Sequence, residues 1–533
     1  MDHAREIELK LLEQLKPINE LTDRGNSAVQ QFYCGATVFV TGGSGFLGKH
    51  LIEKLFRSCE IKKIYLLLRP KRGKTIQERM TYIFKDPLYD TIRSKKPDFV
   101  DRIVPVEGDV AELGLGIDEK VYSEMADEVN VIFHMAATVN FDEPLQNAGI
   151  INVRGTREVI ELGKRCKNLK LLNHVSTAFA HATASRIETD VEEKFYPSPV
   201  APDIFLNMIE SMDVDRINDI TPALVKDWPN TYTFTKAIAE ELVRSYGGEL
   251  PVCVVKPPVV CSSYLEPSPG WIDNQTVMSN PVGFLLGIGL GVIHVMLVDR
   301  ERNLSYAPID YVNNAIIAAG WDSVQNRQMW RGDVPIYTVS TSQYGFSWKQ
   351  MGDIIRTDEF HRISTPRLLW YAYLLETNNR LLYWILTWLL HYLPGYFLDT
   401  IVDLLGVRPK GAPELVKVYS RAYKLTKVYR YFLSNEWNFR DDNLMAMVKR
   451  MSPEDKIIYN CNMETVKLKE FMQAMCLGLR RFIIKDGLKN TALGYRKQKM
   501  FYYANIIFIG LYMYLIWKVL YYVYSTVAMM MPL

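Results

Sequence analysis

The stretch Ala36-Thr37-Val38-Phe39-Val40-Thr41-Gly42-Gly43-Ser44-Gly45-Phe46-Leu47-Gly48 decides the fold of this chain. It begins as an apolar, β-branched run that predicts a buried strand, and residues 45–57 then have a helical pattern. Between a strand and a helix, bare glycine backbone approaches a pyrophosphate while the helix N-terminus faces its negative charge. The stretch therefore predicts a dinucleotide site formed by Thr41, Gly42, Gly43, Ser44, Gly45, Phe46, Leu47 and Gly48.

Outward from this turn, short β-branched runs alternate with helical patterns as far as residue 260. The predicted strands are 36–40, 63–68, 103–106, 130–134, 171–176 and 252–256, and the predicted helices include 45–57, 74–84, 144–166 and 233–247. Such alternation is typical of an α/β fold, here a Rossmann-type doubly wound parallel sheet.

A chain of 533 residues is too long for one ordinary core, so we expect several domains. The predicted segments are an N-terminal helix and linker (1–34), a nucleotide-binding domain (35–260) with an insertion (180–228), a substrate-binding region (261–365), an apolar segment (366–408), a small helical C-terminal domain (409–490) and a transmembrane helix (500–524). The apolar segment fits three roles equally: core packing, membrane contact or a wall around a chain-like ligand.

Residues 500–517 form an uncharged run of 18 residues. As a helix the run would measure about 27 Å, close to the thickness of a bilayer core. Arg496, Lys497 and Lys499 precede it, and positive charge on that side predicts a catalytic body in the cytosol. We expect a membrane anchor, as a single pass or a returning hairpin, with a buried C-terminal helix as the alternative. The endoplasmic reticulum is the expected membrane, and the peroxisome and the lipid droplet are alternatives.

Composition excludes some classes of partner. The formal net charge of +3 is too small to indicate nucleic acid. The seven cysteines are scattered without a Cys-x-x-Cys motif, so we expect reduced thiols and no metal site. No feature of the sequence indicates an oligomeric state.

The choice between NADP and NAD depends on the residues after the second strand. Arg69 ends that strand 21 residues after Gly48, and Arg72 follows closely. An acidic residue there would bind the ribose 2′-hydroxyl of NAD, whereas arginine suits the extra phosphate of NADP. We therefore expect NADPH, with Asp109 and Val110 at the end of the third strand holding the adenine.

Tyr232 and Lys236 are four residues apart on a predicted helix, so their side chains share one face. A neighbouring ammonium and an oxidised nicotinamide both favour the phenolate, and lowering a phenol pKa by about three units takes roughly 4 kcal/mol of differential interaction. Tyr232 would then protonate a carbonyl oxygen, and Lys236 would hold the nicotinamide ribose. The pair is common by chance, and only the glycine turn makes the catalytic interpretation the stronger one.

An oxyanion donor is expected at the end of the fifth strand, where Ser176 and Thr177 are adjacent. Strand alternation places only one of them in the cleft, and we favour Thr177. The other predicted cofactor contacts are Ala136, Ala137 and Thr138 after the fourth strand and Pro257 and Val259 after the sixth. We expect His134 and His174 to lie within the sheet rather than to act in catalysis.

These motifs resemble the extended short-chain dehydrogenase/reductase superfamily and, more narrowly, the alcohol-forming fatty acyl-CoA reductases. The similarity covers nearly the whole chain and includes Tyr65-Leu66-Leu67-Leu68-Arg69-Pro70, Asn152-Val153-Arg154-Gly155-Thr156 and His174-Val175-Ser176-Thr177-Ala178. Its most family-specific piece is Pro269-Gly270-Trp271-Ile272-Asp273-Asn274, and residues 471–485 resemble the small male sterility domain. The chain departs from the family at Lys256-Pro257-Pro258, where Arg-Pro-Ser is usual.

The resemblance implies reduction of a long-chain acyl-CoA to the primary alcohol by NADPH. It implies two hydride transfers, a bound aldehyde and release of CoA, with membrane lipid as a further partner. One alternative is a membrane-bound hydroxysteroid-type dehydrogenase, against which the Pro269–Asn274 motif argues. The other is a catalytically silent nucleotide-binding scaffold, against which Tyr232 and Lys236 argue.

Overall fold

The computed structural model describes residues 2–70, 73–277, 280–330, 332–341, 346–408 and 413–530. Its strands are β1 (Thr37–Thr41), β2 (Lys63–Leu68), β3 (Ile103–Glu107), β4 (Val131–His134), β5 (Leu171–Val175), β6 (Asp190–Val191), β7 (Val252–Lys256), β8 (Val259–Cys261), β9 (Val295–Leu297), β10 (Tyr306–Pro308), β11 (Ile336–Thr338), β12 (Leu375–Thr377) and β13 (Asn438–Phe439).

Seven strands form one parallel sheet in the order β11-β7-β5-β4-β1-β2-β3. The strand order reverses between β1 and β4, which is the switch point where doubly wound folds bind their ligands. The Rossmann-type prediction is therefore confirmed, and the six predicted strands lie within a residue of their observed bounds. The seventh strand, β11, comes from the predicted substrate-binding region, because the chain returns to the sheet after residue 330.

The helices are α1 (His3–Arg24), α2 (Ala28–Tyr33), α3 (Phe46–Ser58), α4 (Ile76–Phe84), α5 (Asp90–Lys95), α6 (Glu119–Glu128), α7 (Leu145–Gly149), α8 (Gly155–Arg165), α9 (Pro202–Ser211), α10 (Val214–Leu224), α11 (Thr231–Gly247), α12 (Asn274–Val277), α13 (Val282–Gly289), α14 (Ile309–Gln325), α15 (Trp348–Ile355), α16 (Asp358–His361), α17 (Arg380–Thr387), α18 (Leu393–Leu404), α19 (Leu415–Ser434), α20 (Asp442–Arg450), α21 (Pro453–Ile458), α22 (Leu468–Gly478) and α23 (Thr491–Met530). A π-helical turn, Ile150–Arg154, joins α7 to α8.

Helices cover both faces of the sheet. Val38 and Val40 of β1 belong to the core on one face, whereas Phe39 belongs to the core on the other. This division follows from the alternation of side chains along a strand. Helices α3 and α14 cover the first face, and α8 and α11 cover the second. The helix that carries the Tyr-Lys pair is therefore packed directly against the sheet.

The N-terminal segment is part of the core and not a linker. Ala4 and Leu11 of α1 are buried, and the Tyr33 hydroxyl at the end of α2 donates to the Ile317 carbonyl at 2.8 Å. Glu8 of α1 forms a 2.6 Å ion pair with Arg481 of the C-terminal region. The predicted helix is present, and its amphipathic face is covered by the far end of the chain.

The predicted apolar segment 366–408 divides into two parts. Ala372 and Leu374 are buried and line internal cavities. In contrast, Leu381, Phe397 and Leu404 are 66%, 67% and 84% exposed. The first part thus packs in the interior and forms cavity walls, whereas the second part is an exposed apolar surface.

In the part of the chain that the structure describes, two helical stretches are long and apolar enough to cross a membrane, namely Arg380–Leu404 and Thr491–Thr526. The second lies within α23, which extends the predicted 500–524 helix at both ends. The most apolar window of this helix is not buried against the rest of the described chain. The alternative of a buried C-terminal helix is therefore wrong.

Candidate active site

The glycine turn between β1 and α3 is closely packed. Gly42 has a positive φ of 72°, and a Cβ atom there would lie 2.7 Å from the Ala136 backbone nitrogen. A Cβ atom on Gly48 would collide with the Gly42 carbonyl oxygen. Gly45 caps α3 and offers no side chain to its first N–H groups, which remain available to an anion. This turn therefore fits a pyrophosphate.

Thr41 supports the turn from within the sheet. Its buried hydroxyl oxygen accepts hydrogen bonds from the backbone N–H groups of Met135 (3.1 Å) and Ala136 (3.2 Å). It also lies 2.8 Å from Nδ1 of His134. The Thr41 side chain thus positions the loop that contains Ala136, Ala137 and Thr138. Because its hydroxyl is used there, only the backbone of Thr41 could contact a cofactor.

The family-specific Pro269–Asn274 motif joins the nucleotide-binding helix to the C-terminal domain. Trp271 stacks on Phe46 with ring centroids 5.2 Å apart, and Asp273 forms a 2.9 Å ion pair with Lys49. Gly270 packs so tightly against Gly478 of α22 that a Cβ atom on either would collide with the backbone of the other segment. The motif therefore holds the helix of the glycine turn in place.

Arg69 and Asp109 lie together at the ends of β2 and β3. Arg69 Nε is 3.8 Å from Asp109 Oδ2, and the Arg69 side chain is 69% exposed. An Asp109 oxygen also accepts from the backbone N–H of Ala111 at 3.0 Å, and Val110 between them is buried. Arg72 lies outside the described residues. An exposed guanidinium is thus available at the edge of the sheet where a ribose would lie.

Tyr232 occupies the first turn of α11, which begins after the Asn230 cap. Burial raises the pKa of Tyr232 to about 12, although a hydrogen bond with the Thr177 side chain lowers it and the nearby Tyr429 raises it. Within the chain itself, desolvation of the phenolate therefore outweighs its favourable contacts, and the lowering of the Tyr232 pKa expected beside an oxidised nicotinamide stays a prediction. The phenol is neutral at physiological pH and carries the proton that a general acid needs.

The Lys236 ammonium follows Tyr232 by one helical turn and donates to the Val175 carbonyl at 2.8 Å. Burial lowers the pKa of Lys236 to about 8, and the Glu240 carboxylate partly opposes this shift. Lys236 is therefore anchored at the end of β5, next to Ser176 and Thr177.

The two hydroxyls after β5 have different partners. Ser176 Oγ donates to Glu240 Oε1 at 2.5 Å, away from Tyr232. Thr177 is hydrogen-bonded to the Tyr232 side chain and donates to the Pro257 carbonyl at 3.4 Å. This geometry favours Thr177 as the oxyanion donor and gives Ser176 a supporting role.

Glu240 is a buried carboxylate to which the sequence alone assigned no role. It also accepts from Lys256 Nζ at 3.0 Å. Burial alone would raise the pKa of Glu240, but the Lys256 ammonium and hydrogen bonds from His181 and Ser176 lower it to about 2. Tyr232, Lys236 and Glu240 follow one another at intervals of four residues. This spacing could have predicted that Glu240 lies on the same helix face as the other two. Lys256, which stands where the resembled family usually has arginine, thus still places a cation beside this carboxylate.

Asn152 is a second residue without a predicted role. Its Oδ1 accepts from the Thr138 backbone N–H at 2.9 Å, and its Nδ2 donates to Thr235 Oγ1 at 3.0 Å. It lies in the π-helical turn, a local irregularity that is frequent at functional sites. Asn152 thus ties the loop after β4 to the helix that carries Tyr232.

His134 and His174 are buried in the sheet, as expected. Burial and the Lys236 charge lower the pKa of His134 to about 3 and that of His174 well below its usual value. Neither histidine is placed as an acid or base. Among the residues that the structure describes, no cluster of His, Cys, Asp and Glu side chains could hold a metal ion.

An apolar cavity of about 860 Å³ lies beside Tyr232. Phe141 stacks on Tyr232 with ring centroids 5.6 Å apart and contacts Phe432, which lines the cavity with Phe179, Val259 and Tyr429. Val259, predicted to contact the cofactor, is therefore also part of this cavity. A concave space with mainly hydrophobic walls is typical of a small-molecule site.

Known proteins share both the sequence and this architecture. Residues 40–316 match a family model described as male sterility protein, and residues 390–486 match a second model with the same description. The chain is 35% identical to "Fatty acyl-CoA reductase wat" of Drosophila melanogaster over 490 residues, and these residues make up 91% of each chain. The chain belongs to the fatty acyl-CoA reductase family. "Fatty acyl-CoA reductase 1" of Homo sapiens is 34% identical over 467 residues, covering 86% of this chain and 87% of that one.

Solved structures with this fold include the terminal R domain from the myxalamid biosynthetic pathway. That domain has a TM-score of 0.55 and 20% identity, over 84% of this chain and 91% of that chain. The reductase domain of a nonribosomal peptide synthetase from Mycobacterium tuberculosis has a TM-score of 0.54 and 19% identity, over 88% and 99%. With the glycine turn and the Tyr-Lys pair, family membership assigns a nicotinamide cofactor to this oxidoreductase.

Proposed function

We propose that this chain reduces a long-chain fatty acyl-CoA to the primary alcohol with NADPH and releases CoA. The observation that carries the proposal is the position of Tyr232, whose hydroxyl is bonded to Thr177 at the edge of the apolar cavity. The names of the related curated proteins support the same substrate class.

The described residues fit the cofactor. The first N–H groups of α3 have no side-chain cap and would hold a pyrophosphate, the Ala136-Ala137-Thr138 loop would line the nicotinamide half, and Lys236 would hold its ribose. The chemistry supplied by the bound nicotinamide is hydride transfer, once to the thioester carbon and once to the aldehyde carbon.

Tyr232 supplies the proton in both reductions. Its neutral phenol donates to the carbonyl oxygen as negative charge develops there, and Thr177 stabilises that oxygen by a hydrogen bond. Collapse of the hemithioacetal then breaks the carbon–sulfur bond, and the hydroxyl proton ends on the CoA thiol. The Lys236 ammonium, one helical turn after Tyr232, would stabilise the phenolate that each donation leaves.

The function is tested by expressing the full chain in yeast and incubating its membranes with NADPH and palmitoyl-CoA. We expect hexadecanol and free CoA in the products. Matched membranes receive a sterol and NAD instead. Sterol oxidation without alcohol formation from any acyl-CoA would overturn the proposal.

The preference for NADPH rests on Arg69, whose exposed guanidinium suits a ribose 2′-phosphate. Loss of a hydrogen bond to a charged group costs about 1.5–3 kcal/mol, so Arg69→Ser should lower the NADPH/NADH ratio of kcat/KM by about 10- to 100-fold. Arg165→Ser, which removes an exposed arginine that pairs with Glu119, is the control. An unchanged ratio in Arg69→Ser would contradict the assignment.

We place the catalytic body on the cytosolic side of a membrane, anchored by α23. Tyr512 of this helix donates to the Leu389 carbonyl at 2.9 Å, so the exposed apolar face of α17 and α18 would meet the same membrane. Removal of residues 500–533 should weaken membrane attachment, and protease protection should leave the catalytic body accessible. The endoplasmic reticulum is the first compartment to examine by microscopy, before the peroxisome and the lipid droplet.

A further inference from the structure

A second apolar cavity, of about 540 Å³, adjoins the one beside Tyr232. Leu285 and Ile288 of α13 and Ile355 of α15 line both cavities. All three side chains are buried and uncharged. The residues that the two cavities share are therefore aliphatic alone, and a movement of these side chains would join the cavities without exposing a charge.

The two cavities extend towards different parts of the molecule. The first begins at Phe179, Tyr429 and Phe432, next to the Tyr232 ring. The second reaches Ala372, whose backbone N–H and carbonyl pair with the Gln498 side chain of α23 at 3.3 and 3.2 Å. The path thus leads from the reacting group to the base of the predicted membrane helix.

The charged groups along this path form ion pairs. In the first cavity the Glu376 carboxylate pairs with Arg300 at 3.2 Å and with Arg356. In the second, the Arg480 guanidinium pairs with Asp486 at 2.8 Å, and the Thr365 hydroxyl donates to the same carboxylate at 2.7 Å. Since these charges are paired, the path presents mainly apolar surface to its contents, and Glu376 Oε1 is a buried oxygen that accepts no hydrogen bond from the described residues.

We propose that the acyl chain of the substrate runs from Tyr232 past Leu285, Ile288 and Ile355 into the second cavity, whose volume sets the longest chain accepted. The inference rests on the proposed function and specifies its substrate class. Each methylene that enters an apolar site adds favourable transfer free energy until the end wall is reached. Short chains fill only the first cavity, and long chains need both.

Gly289, the last residue of α13, allows a test that leaves the catalytic end intact. It lines the second cavity, and a Cβ atom there would meet no heavy atom of the described chain within 4 Å. Gly289→Leu therefore adds a side chain at the second cavity without displacing the backbone. The control is Gly248→Leu, at an exposed position where the nearest described atom to the added Cβ would be the Arg244 carbonyl oxygen at 3.7 Å.

The full-length proteins are assayed in detergent with NADPH and lauroyl-, palmitoyl-, stearoyl- and behenoyl-CoA. Exclusion of even one methylene from an apolar pocket costs at least ~10-fold in kcat/KM. Gly289→Leu should therefore lower the ratio of kcat/KM for stearoyl-CoA to that for lauroyl-CoA by ~10-fold or more, whereas Gly248→Leu keeps the parent ratio. An unchanged ratio, or an equal loss for all chain lengths, refutes the inference.

A measurement on the unaltered protein makes the test independent of folding in the variant. An acyl-CoA with a diazirine at the end of its long chain is bound and irradiated, and the labelled peptides are identified by mass spectrometry. Labels within residues 360–372 or 476–484 support the path, and labels confined to the first cavity or to the surface refute it. If the unaltered protein reduces no acyl-CoA of any length, the proposed function fails instead, so the two failures are distinguishable.

Discussion

Replacing Tyr232 with phenylalanine removes one oxygen atom and leaves the ring. The ring keeps its stacking on Phe141, with centroids 5.6 Å apart, so the walls of the cavity are preserved. The lost contact is the hydrogen bond with Thr177. Because a typical intramolecular hydrogen bond contributes about 0.5–1.5 kcal/mol to stability, we expect a folded protein with a slightly lower unfolding temperature.

The catalytic effect should be much larger. A positioned general acid contributes about 10²–10⁴-fold to rate, which corresponds to about 3–5 kcal/mol in the activation barrier. The proton is present in the parent because burial raises the Tyr232 pKa to about 12, and a ring without a hydroxyl has none to give. Tyr232→Phe should therefore lose alcohol formation and retain the binding of NADPH.

The assay measures hexadecanol from palmitoyl-CoA in membranes that contain equal amounts of each variant, with NADPH binding followed by fluorescence. Tyr431→Phe is the matched control, since it removes a hydroxyl that donates to the Ala182 carbonyl at 3.1 Å. It should keep nearly the parent rate. If Tyr232→Phe makes alcohol as fast as the parent, the proton comes from another group and the mechanism is refuted.

Three further predictions concern the residues behind the phenol. Thr177→Ala should lower kcat by about 10²–10³-fold as an oxyanion donor is lost, whereas Ser176→Ala should mainly lower the unfolding temperature because its hydroxyl bonds to Glu240. Steady-state kinetics and thermal unfolding of both variants distinguish these outcomes, and the reverse pattern would exchange the two roles. Lys256→Met leaves the Glu240 carboxylate buried without its cation and should lower the free energy of unfolding by about 3–5 kcal/mol in denaturant titrations. Lys256→Arg restores the charge and should lie closer to the parent, so equal losses would argue against the ion pair. Burial lowers the Lys236 pKa to about 8, so kcat should fall as pH rises through that value and the ammonium is lost. The Glu240 carboxylate raises the Lys236 pKa, so Glu240→Gln should move this fall to lower pH, and an unshifted pH–rate profile would count against the assignment.

The nucleotide-binding half could be predicted because its signals are local. Val38 and Val40 alternate with Phe39 in a strand buried on both faces, and the adjoining glycines specify the turn before α3. Strand β11 was not predicted, because three residues are too few to show an alternating pattern. Its position in the sheet is set by its pairing with β7.

The shared helix face of Tyr232 and Lys236 was also predictable from the sequence, but the electrostatics of the two residues were not. The spacing of Tyr232 and Lys236 predicts a shared helix face, whereas the pKa of each depends on how deeply the surrounding chain buries it. Glu240 and Lys256 lie on different elements and become an ion pair only when α11 packs against β7. The different environments of Ser176 and Thr177 likewise depend on the tertiary structure, since Ser176 contacts Glu240 and Thr177 contacts Tyr232.

The sequence by itself determined the α/β class, the glycine turn, the Tyr-Lys pair and the apolar C-terminal helix, because these depend on periodicity and spacing within short stretches. Only the tertiary structure decided that α1 belongs to the core, that Thr177 rather than Ser176 meets the phenol, and that two cavities adjoin at Leu285, Ile288 and Ile355. Such features bring together residues from distant parts of the chain, and burial, charge pairing and cavity shape arise only from that packing.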